Sequence, residues 1–255
     1  MGRHTSRGSQ SCGFVDGRAG WLEPGQSETT AHHRDLSDAA GEIGWKTAQV
    51  TLDVPVLHGS LVRLEPLRVS HAEGLAAAAA EDRSSYDWTV VPDGVQAARA
   101  YVEELVADRD AARAIPFAQV RQHDGRVVGA TRYLSLRTLA ETHSLFAVEI
   151  GGTWLAASAQ RSGINTEAKL LLLRHAFDVW RVARVDLQTD ARNARSRAAI
   201  QSIGATFEGV LRKSQRSYAP GEEGRLRDVA MHSVLLEEWP MVRAHLEAAV
   251  IRAHP

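Results

Sequence analysis

The residues best suited to chemistry cluster in one stretch. Glu149-Ile-Gly-Gly-Thr-Trp-Leu155 is followed, after Ala156–Ala159, by Gln160-Arg-Ser-Gly-Ile-Asn165 and Thr-Glu-Ala-Lys169. An apolar strand pattern runs into a short polar loop, and the loop opens a helix. The first N–H groups of a helix have no intrahelical partner and carry roughly half a positive charge, so they attract an anion. Gly163 permits close backbone approach, Asn165 is suited to cap the helix and Glu167 falls in its first turn. Such a joint can hold a pyrophosphate. Neither GxxxxGK[ST] nor a GxGxxG after a strand occurs, which excludes the two common nucleotide loops. Glu149, at the end of its strand, could draw a proton from an amine through one water, or could merely pair with an arginine such as Arg132. Further on, residues 191–216 carry Arg192, Arg195, Arg197, Arg212, Lys213 and Arg216 against Glu208 alone. That stretch could meet a phosphate or form a solvated basic face. His32-His33 has no third ligand at a useful spacing, so no metal site is expected; His71, His143, His175 and His232 are scattered and read as surface or packing residues.

These groups must be positioned by the elements around them. Leu61–Leu64 reads as a short strand ended by Pro66, residues 68–81 end in a helix-forming alanine run, and residues 94–111 have a helical period. Pro116–Val120 and Val127–Leu134 flank the turn His123-Asp124-Gly125, and Ser144–Ile150 is a third strand of that meander. In the second half, Asn165–Trp180 is a helix with Leu170, Leu173, Phe177 and Trp180 on one stripe. Val182–Thr189 is a strand, and Asn193–Ile203 a helix closed by a left-handed Gly204. Thr206–Leu211 and Leu226–Leu235 are strands around a polar loop, 214–224, and Glu237–Ala253 is an amphipathic tail helix. The order predicts an α+β (or mixed α/β) domain with a mixed sheet. Trp154 and Trp180 read as core residues.

Composition sets the outer limits. The 255 residues carry 30 Lys+Arg and 31 Asp+Glu, a net charge of −1 that argues against a protein coating nucleic acid or an anionic membrane. No apolar run approaches the roughly 20 residues of a membrane span, and the first residues lack a secretory core. The expectation is a cytoplasmic protein. Residues 1–50 are polar and aperiodic, and are expected to be a disordered extension ahead of a domain over 51–255. The lone cysteine, Cys12, falls in that extension, so the domain has no thiol for a covalent acyl-cysteine route.

Gln160–Asn165 resembles the Q/R-x-x-G-x-G/A acyl-CoA loop of the GCN5-related N-acetyltransferases (GNAT). Asp190-Ala-Arg-Asn193-Ala-Arg-Ser196 and Ile203-Gly-Ala-Thr-Phe-Glu208-Gly-Val-Leu-Arg212 are similar to the second motif of the RimJ/RimL-like branch. Glu149-Ile-Gly-x-x-Trp-Leu and Glu238-Trp239 are similar to that branch as well. The resemblance covers residues 58 to about 240. It implies a mostly antiparallel GNAT sheet flanked by helices. It also implies transfer from acetyl-CoA, or another acyl-CoA, to a primary amine by direct attack in a ternary complex. The amine would belong to a protein N-terminus or a small molecule, and the protein would be a monomer or homodimer with no metal, nucleic-acid or membrane partner.

On this resemblance the backbone of Gln160, Arg161, Ser162, Gly163, Ile164 and Asn165 would anchor the diphosphate, Trp154 and Leu155 would bond the pantetheine arm, and Asn193 would contact that arm. Glu149 would be the base and Ser196 would hydrogen-bond the thiol sulfur. Two departures stand out: Asn165 replaces Gly or Ala, and Ile200 stands where many members place a tyrosine acid seven residues after the motif asparagine. The missing tyrosine keeps open an alternative, a catalytically silent acyl-CoA sensor.

Overall fold

The computed structural model describes residues 53–253, so the extension expected over residues 1–50, with Cys12, lies outside the described residues. Eight strands form one sheet in the order β1-β2-β3-β4-β5-β6-β8-β7. They are β1 (Leu57–His58), β2 (Val62–Pro66), β3 (Ile115–Arg121), β4 (Val127–Thr138), β5 (Leu145–Leu155), β6 (Arg184–Asp190), β7 (Thr206–Arg216) and β8 (Leu226–Leu235). Every pairing is antiparallel except β5 with β6. Among the described residues five α-helices flank the sheet: α1 (Ala72–Ala80), α2 (Gly94–Asp110), α3 (Ile164–Arg174), α4 (Ala194–Ser202) and α5 (Trp239–Ala253). No described helix is long and apolar enough to cross a membrane.

The apolar patterns fold as their periods require. Leu170, Leu173, Phe177 and Trp180 are all buried, and so are Trp239, Val242, Leu246 and Val250 along α5. The helix expected over 165–180 has two parts, since α3 stops at Arg174 and a π-helical turn carries His175–Val179. Gly204 adopts the left-handed conformation (φ +91°) that closes α4. Two strands run further than expected. β5 continues through Gly151-Gly152 to Leu155, and β7 continues to Arg216 through residues that read as loop. In both, backbone pairing with a neighbour outweighs a local composition poor in strand formers.

Candidate active site

The site begins where the sheet parts. β5 pairs with β6 only over Ala147–Glu149 and Arg184–Asp186, yet both strands continue. Beyond Glu149 the facing edges of the two strands separate. A bulge in the β4–β5 ladder, between the Ala130–Trp154 and Arg132–Gly151 pairs, turns β5 away, with Gly152 at φ +56°. The gap opens a cleft of about 1280 Å³ reaching α3, α4 and the β7–β8 hairpin.

At one end of the cleft lies the start of α3. Six successive backbone N–H groups, Arg161 to Thr166, have no acceptor among the described residues. The side chains around them are held in place. Gln160 donates to Ser85 Oγ (3.1 Å) and to the Leu155 carbonyl (3.0 Å), and accepts from Arg195 (2.7 Å). Ser162 Oγ donates to the Ala159 carbonyl (2.6 Å), Ile164 is buried, and Arg161 and Asn165 line the cleft. Asn165 does not cap the helix: the N-cap is Gly163, at φ +82°, and no side chain caps it. Gly163 also has a packing role that the motif did not reveal. A Cβ there would stand 2.5 Å from Ala253 Cβ and 2.9 Å from Leu61 Cδ1, so its bareness serves the docking of α5.

The rigidity of this end comes from Glu167. Its buried carboxylate accepts from the N–H groups of Ser60 (2.7 Å), Leu61 (2.7 Å) and Val62 (2.8 Å) and from Ser60 Oγ (2.7 Å). Helix α3 is thereby tied to the turn before β2. The sequence placed Glu167 in the first turn; only the fold shows it serving a turn more than 100 residues away.

Across the cleft, Asn193 caps α4, its Oδ1 accepting from Ser196 N–H at 3.0 Å. Ser196 and Ile200 line the cleft. Of the six basic residues in 191–216, only Arg195 and Arg216 line it. Arg192 is held by Asp190 and Glu222, and Arg197 lies over the Phe207 ring. Trp154 is buried against Tyr86, with ring centroids 5.9 Å apart, and the Leu155 carbonyl accepts from the Tyr86 hydroxyl (3.0 Å).

Glu149 sits at the vertex, the last β5 residue paired to β6. It is buried, accepts from Ser135 Oγ at 3.0 Å, and makes no ion pair with Arg132 or any other described residue. Asp186, opposite it on β6, is neutralised by Arg137 and Arg184. Glu149 is therefore the uncommitted carboxylate at this point. Gly151 and Gly152 leave room for their neighbours: a Cβ on Gly151 would stand 2.8 Å from Glu149 Oε1, and one on Gly152 2.7 Å from Arg132 Nε.

Lys169 also lines the cleft, and sequence reading passed over it. It is buried, and its Nζ donates to Thr153 Oγ1 (2.6 Å), which shares a hydrogen bond with Thr131 Oγ1 (2.8 Å). With no carboxylate beside it, burial alone pulls its pKa down to about 7. The signal was present: Lys169 is the one cation in Ala168–Leu173, where every other residue is apolar and the whole stretch is buried.

A cleft between splayed parallel strands, with unpaired helix N–H groups at one end and a carboxylate at its vertex, is suited to an extended anionic ligand and to a proton transfer. The family model of the acetyltransferase (GNAT) domain matches residues 62–206, and the chain belongs to that family; it is an N-acetyltransferase. A GCN5-related N-acetyltransferase from Brucella melitensis is similar at 26% identity and TM-score 0.67, over 76% of this chain and 85% of that one. A candidate acetyltransferase from T. thermophilus is 35% identical over 76% of this chain and 95% of its own, with TM-score 0.62. Mycobacterium smegmatis RimJ, solved in complex with CoA-disulfide, is 25% identical over 76% of this chain and 91% of its own, with TM-score 0.61. No curated protein matches the chain.

Proposed function

We propose that this acetyltransferase moves an acetyl group from acetyl-CoA to a primary amine by direct attack in a ternary complex. The observation that carries the reading is the row of six unclaimed N–H groups from Arg161 to Thr166, opening on the cleft between β5 and β6. Such a row suits a diphosphate in charge and in spacing. The thioester supplies an activated acyl group; the chain has to place it and manage protons. Arg161–Asn165 hold the diphosphate, with Arg161 adding charge. The unpaired edge of β5, Gly152 to Leu155, binds the pantetheine arm and directs N–H groups at the oxygen that becomes negative.

Asn193 uses its Oδ1 on α4, which leaves its amide N–H groups for the arm. Ser196, on the cleft wall, donates its hydroxyl toward the sulfur. It stabilises the departing thiolate, a task the apolar Ile200 cannot perform. Glu149 takes the proton from the amine, directly or through one water. Its carboxylate is positioned by Ser135 and is in no ion pair with a described residue.

The test is thiol release from acetyl-CoA across a panel of amines, together with CoA affinity by calorimetry. Micromolar CoA binding with turnover of at least one amine supports the reading. Tight binding with no turnover on any amine would make the protein a CoA sensor. Gly163→Asp, the obvious loop variant, is a poor probe: it would collide with α5 and unfold the site for reasons unrelated to CoA.

A further inference from the structure

We propose that the acceptor amine belongs to a molecule carrying its own carboxylate or phosphate, and that Arg132 binds that anion beside Glu149. The inference rests on the transferase reading and adds the acceptor's chemistry.

The charge of the cleft wall is the first ground. Its charged lining consists of Arg132, Arg161, Lys169, Arg195, Arg216 and Arg227, with Glu149 as the sole carboxylate. A polyamine or other polycation would enter a cationic cleft with one carboxylate to meet it, which electrostatic complementarity disfavours. The second ground is the state of these cations. Arg161 and Arg195 lie at the α3 and α4 end, where the donor's phosphates are expected. Arg227 donates to Gln215 Oε1 (2.9 Å) and the Trp88 carbonyl (3.4 Å) and lies over the Tyr218 ring.

Arg132 differs. Like those of Arg161 and Arg216, its side chain makes no hydrogen bond or ion pair with a described residue, but those two are exposed to solvent, whereas Arg132 is half-buried and its Nε is buried without a partner. A guanidinium stays charged at any physiological pH, so a half-buried one without an anion is under-satisfied until a ligand supplies one.

Placement is the third ground. Arg132 opposes Gly151 and Leu134 opposes Glu149, so Arg132 and Glu149 are diagonal neighbours across the β4–β5 ladder. Diagonal pairs lie roughly 7–8 Å apart at the backbone, within reach of two long side chains. Both side chains lie against the bare Gly151-Gly152 dipeptide. Both functional groups therefore meet the same short stretch of backbone, so an amine presented to Glu149 brings an anion of the same small molecule toward the Arg132 fork. The donor's own anions sit at the start of α3 and leave Arg132 free.

The experiment uses the full chain with acetyl-CoA. L-alanine, L-serine, L-glutamate and L-methionine are compared with their amides, O-phosphoethanolamine with ethanolamine, and all of these with spermidine and a neutral peptide amide. A carboxylate bound by a guanidinium gains about 1.5–3 kcal/mol, so kcat/KM for the anion-bearing member of a pair should exceed its neutral partner by roughly 10–150-fold. The amino-acid and phosphoethanolamine arms tell carboxylate from phosphate. Arg132→Gln should erase that preference through KM, leave the neutral acceptors and the CoA affinity within about threefold, and be partly rescued by Arg132→Lys. Preference for spermidine, an amide or the peptide amide overturns the proposal, as does an equal loss on all acceptors. If no amine is turned over, the transferase reading fails, and calorimetry of N-acetylalanine against N-acetylalaninamide on the CoA-loaded protein still decides the role of Arg132. Weaker binding of the acid than of the amide would refute it.

Discussion

The two ends of the cleft are built on opposite plans. At the α3 end, the groups offered to a ligand are chiefly backbone N–H groups, with the exposed Arg161 beside them, and three of the surrounding side chains are satisfied within the protein: Gln160 by three partners, Ser162 by a carbonyl, Glu167 by four donors. At the β4–β5 end, the groups offered are side chains left short of partners, with Glu149 holding one hydrogen bond and Arg132 none. On the proposed function, the difference follows from the two jobs. A shared donor with invariant phosphates can be held by backbone, which cannot vary with side-chain sequence. An acceptor that differs between family members must be read by side chains, and a group kept for a ligand has to stay unpaired until the ligand arrives.

The sharpest break of this comparison is Glu167→Ala. It would strand three N–H groups and detach α3 from the turn before β2, at a cost of about 3–5 kcal/mol. Chemical denaturation should show the loss and CoA affinity should fall with it. A variant of normal stability would mean that the donor end does not depend on this tie.

Next in size is Lys169→Met, which tests whether the cleft carries a buried charge at neutral pH. Below pH 7 both the folded and the unfolded chain hold the Lys169 proton, so the cost of burying the charge is borne in full. Between pH 7 and 10.5 the folded chain has released the proton and the unfolded chain has not, so wild-type stability rises with pH across that window. The methionine variant lacks the charge. Its advantage over the wild type should be greatest below pH 7 and shrink by roughly 3–4 kcal/mol on reaching pH 10. A pH-independent difference in unfolding free energy would show that Lys169 keeps an ordinary pKa.

Glu149→Gln sharpens the contrast between the ends. Turnover should drop roughly 10²–10³-fold, within the range for loss of a positioned base, and its pH profile should lose the limb set by the carboxylate. CoA affinity should stay within about threefold, since the donor end is untouched. An unchanged pH profile would remove Glu149 from proton transfer. Smallest of all is Ser196→Ala, where loss of one neutral hydrogen bond to sulfur should slow turnover about three- to tenfold at constant CoA affinity. Activity equal to the wild type would leave Ser196 a plain wall residue.

The site was legible in unequal parts. The loop Gln160–Asn165, the strand end at Glu149 and the pair Asn193 and Ser196, which the fold brings to one cleft, could be singled out because each lies in a short local pattern of strand, loop and helix start. The details that needed three dimensions went astray or went unseen. Asn165 is a good capping residue by type, yet the left-handed Gly163 takes the cap, because the chain has to turn sharply beneath α5. Glu167 is the first-turn acid its position implies, and its second role, as an anchor for a distant turn, went unseen. Arg132 was weighed only as a partner for Glu149, and the two are not paired.

What the sequence determined by itself was the order of the elements, their apolar faces and the place of the polar loop that opens α3. Those are fixed by periodicity, by backbone propensity and by motifs a few residues long, all of which act locally. What the tertiary structure decided was the parting of β5 from β6, the state of each charge and the pairing of Lys169 with Thr153. Burial and partnership depend on residues tens of positions apart in the chain. The energy of a charge is set by whichever groups the fold brings next to it, so its role became visible only when the sheet was assembled.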